Sequence, residues 1–538
     1  CIRDRLTNLV TGLRKRPEQP AQFALGFEFA DNDIKFLRHI PPINDAVGVA
    51  SIINNRFVVS LDEGIVLAPQ GGPMDLAGSH FAIEDMRQNP SKAILDLRID
   101  SSLTAALSVL NQPPFEYMDK ANLPVTIADG RALTQGQITW PLMPRPAPEA
   151  ITLAMTSQLR SVRSETLLPG RLFVAPEMQV TASREGINIA GAVQIGAASA
   201  VGAWDRRFGD PDQPGSRVLA QVGLSQEFLD EFGIELPRGT IDGRGKGELS
   251  VSFQENTPPA FSLTSDLLGV RVAVPAVGWT KPANTTGNLL VEGALGTVPT
   301  IDRLEIGGAG LQARGRIDLT DQGAFQAARF GRVQVGNWLD APVTLRGRGR
   351  GQPVSVEVSG GTLDLRGARF GAGGGDSGPL TVNLDRLQIT EGIALSNFRG
   401  TFRGEGGLRG DFQGQLNGEA AVSGTIAPRN GRTAVLLRSD DAGATLRAAG
   451  LMRNGVGGAL ELSLLPTEAA GSFDGTLDVR TLRVRDAPAM AALLDAISVV
   501  GLLQQMDGQG LAFDKVDARF RLTPSQIIVS EASAVGPG

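Results

Sequence analysis

Reactive side chains are scarce in this sequence. Its 538 residues include one cysteine, Cys1, one tyrosine, Tyr117, and two histidines, His39 and His80. A lone cysteine excludes a disulfide framework and a cysteine-built zinc site. A lone tyrosine leaves little phenolic chemistry and no aromatic platform on which bases could stack. Neither histidine has a second ligand candidate near it in sequence, so both are expected on the surface or in loops. No Ser/His/Asp set can be assembled, and catalysis is the least supported class. Near-absence of cysteine fits the cytosol and a Gram-negative periplasm equally well.

Charge of one sign is also missing. Fifty-one Lys and Arg against 57 Asp and Glu leave a formal charge of -6, which gives no reason to expect nucleic acid. The nearest basic run, Arg14-Lys15-Arg16, is short and stands beside Pro17. No secretory signal or membrane span is visible. The longest apolar run, "APAMAALLDAISVVGLL" at 487–503, carries Asp495 near its middle. A charge there costs about 2.5–3.5 kcal/mol on insertion scales, so the run reads as a packed helix entered through Pro488. The absence of an initiator Met and the ending "SAVGPG" give the expectation that the chain is a portion of something longer. A lipidated Cys1 is the lesser alternative.

Apparent motifs dissolve on inspection. "GRGKGE" (243–248) resembles a phosphate loop, but Gly247 follows Lys246 where Ser or Thr belongs, and Thr240 stands where the first Gly belongs. "DPDQPGS" (210–216) begins like a calcium loop with Asp210 and Asp212, then places Pro214 at the fifth position and Gln221 at the twelfth. Asp440 and Asp441 precede a helical pattern and suit a helix cap better than a carboxylate pair. No catalytic residue, metal site or cofactor is expected.

What the sequence does have is alternation, punctuated by 67 Gly and 32 Pro. In "GLQARGRIDLT" (310–320), Leu311, Ala313, Gly315, Ile317 and Leu319 share one parity, and Gln312, Arg314, Arg316 and Asp318 share the other. A strand sends successive side chains to opposite faces, so one face is oily and the other solvated. The same pattern recurs at Leu95-Leu97-Ile99, Leu249-Val251-Phe253, Val354-Val356-Val358 and Leu460-Leu462-Leu464, and twice within "TLDVRTLRVRD" (476–486). Glycine-rich stretches at 347–351, 371–378 and 404–407 separate such runs as hairpin turns. Helices are few and short: 101–110 with a stripe of Leu103, Ala106, Leu107 and Leu110; 225–233 between a Ser225 cap and a Gly233 stop; 439–450 ending at Gly450. Each is expected to plug an end of a sheet or cover its edge. Four prolines in "PLMPRPAPEA" (141–150) mark the best joint. The expected divisions are 1–145, 146–395 and 396–538, the last truncated at its end.

So much one-sided sheet needs a cover. Closed sandwiches are one solution. A membrane barrel would need interfacial aromatic girdles, which 5% aromatics with one tyrosine do not build. A long, curved, partly open sheet with a ligand along its inner face is the third. At roughly 4.8 Å per strand, about 25–30 strands would make an apolar trough on the order of 120–145 Å long. Lipid tails suit it. An acyl chain of about 16 carbons exposed to water costs on the order of 13 kcal/mol at roughly 0.8 kcal/mol per methylene, and such a trough removes most of that penalty without any catalytic group.

Several stretches resemble a known family. They are "FALGFEFADNDIKFLRHIPPINDAVG" (23–48), "PPFEYMDKANLPVTIADGRALTQGQITWPL" (113–142) and, most specifically, "LLRSDDAGATLRAAGL" (436–451) followed by 475–538. Together they are similar to the YhdP-type branch of bacterial AsmA-like proteins, in the bridge-like lipid-transfer superfamily of repeating β-groove units. The resemblance implies a mainly β, elongated and twisted antiparallel groove with a few short amphipathic helices. It implies a periplasmic protein, held in the inner membrane by an anchor helix that this chain lacks and reaching toward the outer membrane. It implies a non-enzymatic role, in which phospholipid is conducted between the two membranes and outer-membrane integrity is supported. The expected partners are phospholipid acyl chains and the two membranes, with no nucleic acid. The groove lining is expected at Leu249, Val251, Phe253, Leu311, Ile317, Leu319, Val354, Val356, Leu460, Leu462 and Leu464. The alternative is an assembly factor for outer-membrane proteins, with the same positions closed inside a β-sandwich core.

Overall fold

The computed structural model describes the chain apart from residues 1–23, 37–38, 210–214, 235, 237–238, 275–277, 350–351, 369–377, 405–406, 430–431, 469–471, 486–509, 524–525 and 537–538. Cys1, the basic run at 14–16, Asp210, Asp212 and the apolar run at 487–503 lie outside the described residues. The chain is mainly β with a few short helices, and it divides into two units. One comprises Cys1–Glu235 with Arg244–Ser262, the other Leu236–Gly243 with Leu263–Gly538.

In the first unit, alternation becomes an open antiparallel sheet in which successive strands pair in chain order. Ala24–Ile34, Ile43–Ile53 and Arg56–Leu67 begin it. Two short strands, Pro73–Asp75 and His80–Ile83, share the next place, between Arg56–Leu67 and Lys92–Ser102. Asp129–Pro141 and Thr152–Ser164 then pair over almost their whole length. The proline-rich stretch at 141–150 is therefore the long loop between neighbouring strands of one unit. Four more strands, Phe173–Ser183, Gly186–Ile195, Ala198–Arg207 and Ser216–Leu224, lead to Gly245–Phe253. No strand among the described residues pairs Ala24–Ile34 to anything but Ile43–Ile53, so this sheet does not close on itself.

The second unit repeats the plan from Asn288–Ala294 to Ile527–Val535, with one exception. Ser355–Ser359 and Thr362–Asp364 pair in parallel with Leu380–Gln388. The glycine-rich stretch at 371–378, expected as a hairpin turn, lies outside the described residues except for Gly378. The strands that flank it are not a hairpin, because a tight turn joins antiparallel neighbours and these run parallel, with Leu380 opposite Val356, at the far end from Asp364. Ile527–Val535 pairs only with Leu511–Leu522 among the described residues, so this sheet too stays open. A small three-stranded sheet, Ile241–Gly243, Val270–Val274 and Trp279–Lys281, accompanies it.

Three helices leave strand ends with almost no linker, each behind an N-cap. Ser102 Oγ accepts from the Ala105 N–H at 3.0 Å ahead of Leu103–Leu110. Ser225 Oγ accepts from the Phe228 N–H at 3.4 Å ahead of Gln226–Glu231. Asp441 Oδ1 accepts from the Ala444 N–H at 2.8 Å ahead of Ala442–Ala448. Gly233 and Gly450, both with positive φ, end the second and third as the sequence suggests. Of the stripe expected on the first helix, Leu103 and Leu107 pack on the core and Leu110 is exposed, while Ala105 and Ser108 are buried beside them. Ser108 Oγ donates to the Gln70 carbonyl at 2.9 Å and ties the helix to the loop before it.

Candidate functional site

Cross-strand partners send their side chains to the same side of a sheet. The register therefore decides whether the oily parity of one strand meets the oily parity of the next. In the first unit it does. Phe27 stands opposite Ala50, Ala50 opposite Val59, and Val59 opposite Phe81. Phe81 faces Leu95, Leu95 faces Ile138, and Ile138 faces Leu153. Farther on, Val180, Ile189, Trp204, Val218 and Val251 follow as successive partners.

The second unit carries one unbroken row. Ile317 pairs with Ala328, Ala328 with Leu345, and Leu345 with Val356. Val356 pairs with Leu380, Leu380 with Phe402, and Phe402 with Gly410. Gly410 leads through Ile426 and Val435 to Leu464, and Leu464 through Gly475 to Phe520. Every member is apolar or glycine.

Along these rows most large side chains are only half-buried, including Phe27, Leu95, Ile189, Trp204, Ile317, Leu345, Val356, Ile426 and Leu464. A second sheet packed at about 10 Å would close them off from solvent, as in a sandwich core. Val251 and Phe402 are buried within these rows, and further burial occurs where a helix or a wrapped loop sits. Ala105 joins Phe29, Leu61 and Met74 in one cluster, and Leu103 and Leu107 pack against Ala132, Leu159 and Ala175 in another. Ala442 and Leu446 pack on Leu460, Val479 and Leu482 in the second unit. That last helix lies so close that a β-carbon on Gly443 would strike the Val456 nitrogen. The helices thus cover particular stretches of the oily face, while Ile317, Val356 and Leu464 among others stay half-buried.

The polar parity faces water and is stitched across strands. Arg314 Nε lies 2.7 Å from Glu305, and Arg329 Nε lies 3.0 Å from Asp318. Hydrogen bonds from the Arg332 guanidinium hold the Asp340 carboxyl below its usual range. Arg131 does the same to Asp100, and Arg366 to Asp364. His80 belongs to this face, its Nε2 2.7 Å from Asp96, and His39 is exposed. Two open depressions have charged residues in their lining, one around Arg399, Asp411 and Arg438, the other around Glu63, Asp100 and Arg131.

The expected lining residues fall into three groups. Val251, Leu311 and Leu460 are buried, at 7%, 6% and 5% exposure. Leu249, Ile317, Leu319, Val354, Val356, Leu462 and Leu464 are half-buried. Phe253 is 38% exposed at the end of its strand. Ile317, Val356 and Leu464 share the row traced above, and Leu462 pairs with Leu437 and Leu477 beside it. Val354 lies just ahead of its strand, which begins at Ser355. Sequence reading missed the phenylalanines and glycines of the same face, although Phe398, Gly400 and Phe402, and again Gly410 and Phe412, share parity within their strands.

One buried cation was also missed. Lys281 is fully buried, and its Nζ donates to the carbonyls of Leu267, Val270 and Pro282 at 2.7, 2.8 and 2.9 Å. Burial pushes its pKa below the ordinary lysine value. The carbonyls saturate the ammonium and tie the edges of the small sheet together, a structural use of a charge. Trp279, on the same short strand, donates from Nε1 to the Ala309 carbonyl at 3.0 Å.

Among the described residues no group of three or more His, Cys, Asp or Glu could hold a metal ion, and no helix is long and apolar enough to cross a membrane. The chain matches no family model, no curated protein and no solved structure.

Proposed function

We propose that this chain conducts phospholipid along the apolar face of its sheets, with acyl tails against the oily parity and headgroups in water. The observation that carries the reading is the register. It keeps apolar residues on one side from strand to strand, and it does so where the side chains remain half-buried instead of closed in a core. Such a face lowers the cost of moving a tail, roughly 0.8 kcal/mol per methylene, at every position along it. No step requires a catalytic group, a cofactor or a metal.

The similarity of 23–48, 113–142 and 436–538 to YhdP-type AsmA-like proteins supplies the setting: a periplasmic protein tethered to the inner membrane, passing phospholipid toward the outer membrane and supporting its integrity. The test is native mass spectrometry of gently purified chain, followed by transfer of a fluorescent phosphatidylethanolamine between donor and acceptor vesicles. Co-purifying phospholipid and accelerated transfer are expected. A chain that never carries lipid and moves none would favour the assembly-factor alternative.

A further inference from the structure

Several glycines of the apolar face occupy positions where the backbone does not require glycine. Gly400, Gly410, Gly424 and Gly475 all lie within strands, and none has the positive φ that excludes other residues. What excludes a side chain is a phenylalanine ring at Gly400 and Gly475, and a ring together with a strand carbonyl at Gly410 and Gly424. A β-carbon on Gly400 would come 2.5 and 2.6 Å from ring carbons of Phe402, and one on Gly410 would come 2.7 Å from the same ring. On Gly424 it would meet the Phe412 ring at 2.5 and 2.8 Å. On Gly475 the three nearest atoms all belong to the Phe520 ring, closer than real contacts allow. The register explains the overlap: Gly410 stands opposite Phe402, Gly424 opposite Phe412, and Gly475 opposite Phe520.

Each ring therefore lies down over its neighbouring glycine instead of standing up from the sheet. The tilt is shared. Phe398 is nearly parallel to Phe402, with centroids 6.5 Å apart at 12°, and stacks with Phe412 at 5.8 Å and 29°. Aromatic cover of strand glycines is a known way to restore packing that glycine forfeits. Phe412 and Phe520 are half-buried and reach the accessible surface, while Phe398 and Phe402, at 7% exposure, lie beneath it, so the geometry has a second effect. An upright phenylalanine would be a step in the floor, and a reclined one leaves the floor level.

We infer that these glycines are ring seats that set the depth of the apolar face, so that a linear alkyl chain can lie along that face without interruption. The inference rests on the proposed lipid path and assigns its specificity to Gly400 and Gly475 in particular. At these two positions the ring is the chief obstacle. Beyond the Phe402 ring, the next nearest atom to a Gly400 β-carbon is the Asp411 carbonyl oxygen at 3.3 Å. At Gly410 and Gly424 a strand carbonyl crowds the site as well.

The experiment titrates the full chain with cis-parinaric acid, a fluorescent linear fatty acid, and follows its emission. It compares Gly400→Ala and Gly475→Ala with the paired variants Gly400→Ala/Phe402→Leu and Gly475→Ala/Phe520→Leu, each checked by circular dichroism. Each single variant is expected to weaken uptake roughly tenfold. Each paired variant should recover most of it, because the shorter side chain no longer rises when its seat is filled. Wild-type uptake with folded single variants that bind equally well would overturn the ring-seat inference and leave the lipid path standing. Single-variant losses that the pairs do not restore would overturn it too. If both alanine variants unfold, the glycines are a requirement of the fold and the inference falls. Absence of wild-type uptake would remove the lipid path itself.

Discussion

Ile317 and Val356 stand in one row on one face, with Ala328 and Leu345 between them as successive cross-strand partners. Both are half-buried, whereas Leu311, on the same strand as Ile317, is 6% exposed. The difference separates an accessible apolar surface from a closed core. Ile317→Asp and Val356→Asp are expected to abolish lipid transfer between vesicles while the far-ultraviolet spectrum and the melting temperature stay close to wild type. Complete unfolding of both variants would place these positions in closed core.

Leu311→Asp should behave differently. A carboxylate introduced at a buried strand position leaves an unpaired charge and a lost apolar contact, costing about 3–5 kcal/mol. Urea denaturation is the measurement. A loss below about 1 kcal/mol would show that burial in the folded unit does not decide tolerance along this strand.

The helix Ala442–Ala448 depends on Asp441 for its first turn. Asp441→Ala removes the 2.8 Å bond to the Ala444 N–H and should cost about 1 kcal/mol. Asp441→Asn should recover most of that, since Asn caps comparably. Because the helix seals part of the oily face around Leu460 and Leu482, the alanine variant should also bind more of an apolar dye such as ANS. Unchanged stability and dye binding would remove the helix from its sealing role.

Lys281→Met keeps the length of the apolar stem and deletes the ammonium. It removes one donor each from the carbonyls of Leu267, Val270 and Pro282, of which Leu267 keeps the Val270 N–H and Pro282 keeps Thr285, at a cost of roughly 1–3 kcal/mol. Hydrogen exchange should accelerate first in Ile241–Gly243, Val270–Val274 and Trp279–Lys281. Protection equal to wild type in these strands would show that the ammonium is not needed to hold the small sheet together.

The paired carboxylates set an acid limit. Asp340, Asp100 and Asp364 all titrate below the ordinary aspartate value of 3.8 because of hydrogen bonds from Arg332, Arg131 and Arg366. A depressed carboxylate contributes stability that is complete above the unfolded-state value and is lost as pH falls through the folded one. Stability measured in urea should therefore hold above about pH 5 and decline toward pH 2. Arg332→Gln should lower stability slightly at neutral pH and converge with wild type in acid, because the pair is largely exposed. A gap that persists at low pH would assign Arg332 a packing role.

Most strands were legible because one period governs them. Parity placed Leu249–Phe253, Leu311–Leu319 and Leu460–Leu464 in strands with the apolar parity less exposed, Phe253 excepted, and the Ser225 and Asp441 caps followed from local hydrogen-bonding chemistry. Features that depend on a partner strand were not legible. "TLDVRTLRVRD" suggested two runs, yet Phe473–Val484 is one strand. Its left-handed Thr481, at φ 59°, reverses the parity and brings Leu482 and Val484 into the cluster that holds Val479. Lys281 gave no signal, since its three carbonyls come together only once the small sheet has formed. The parallel step at Leu380 was hidden for the same reason: its alternation is identical to that of a hairpin strand.

The reclined rings have a consequence for inheritance. Enlarging Gly475 alone lifts Phe520, and shrinking Phe520 alone leaves a hollow above Gly475. Neither change is neutral by itself, so the two positions should covary among descendants of this chain, as should Gly400 and Phe402. An alignment of enough relatives would then record which strand lies beside which, written in pairs of substitutions.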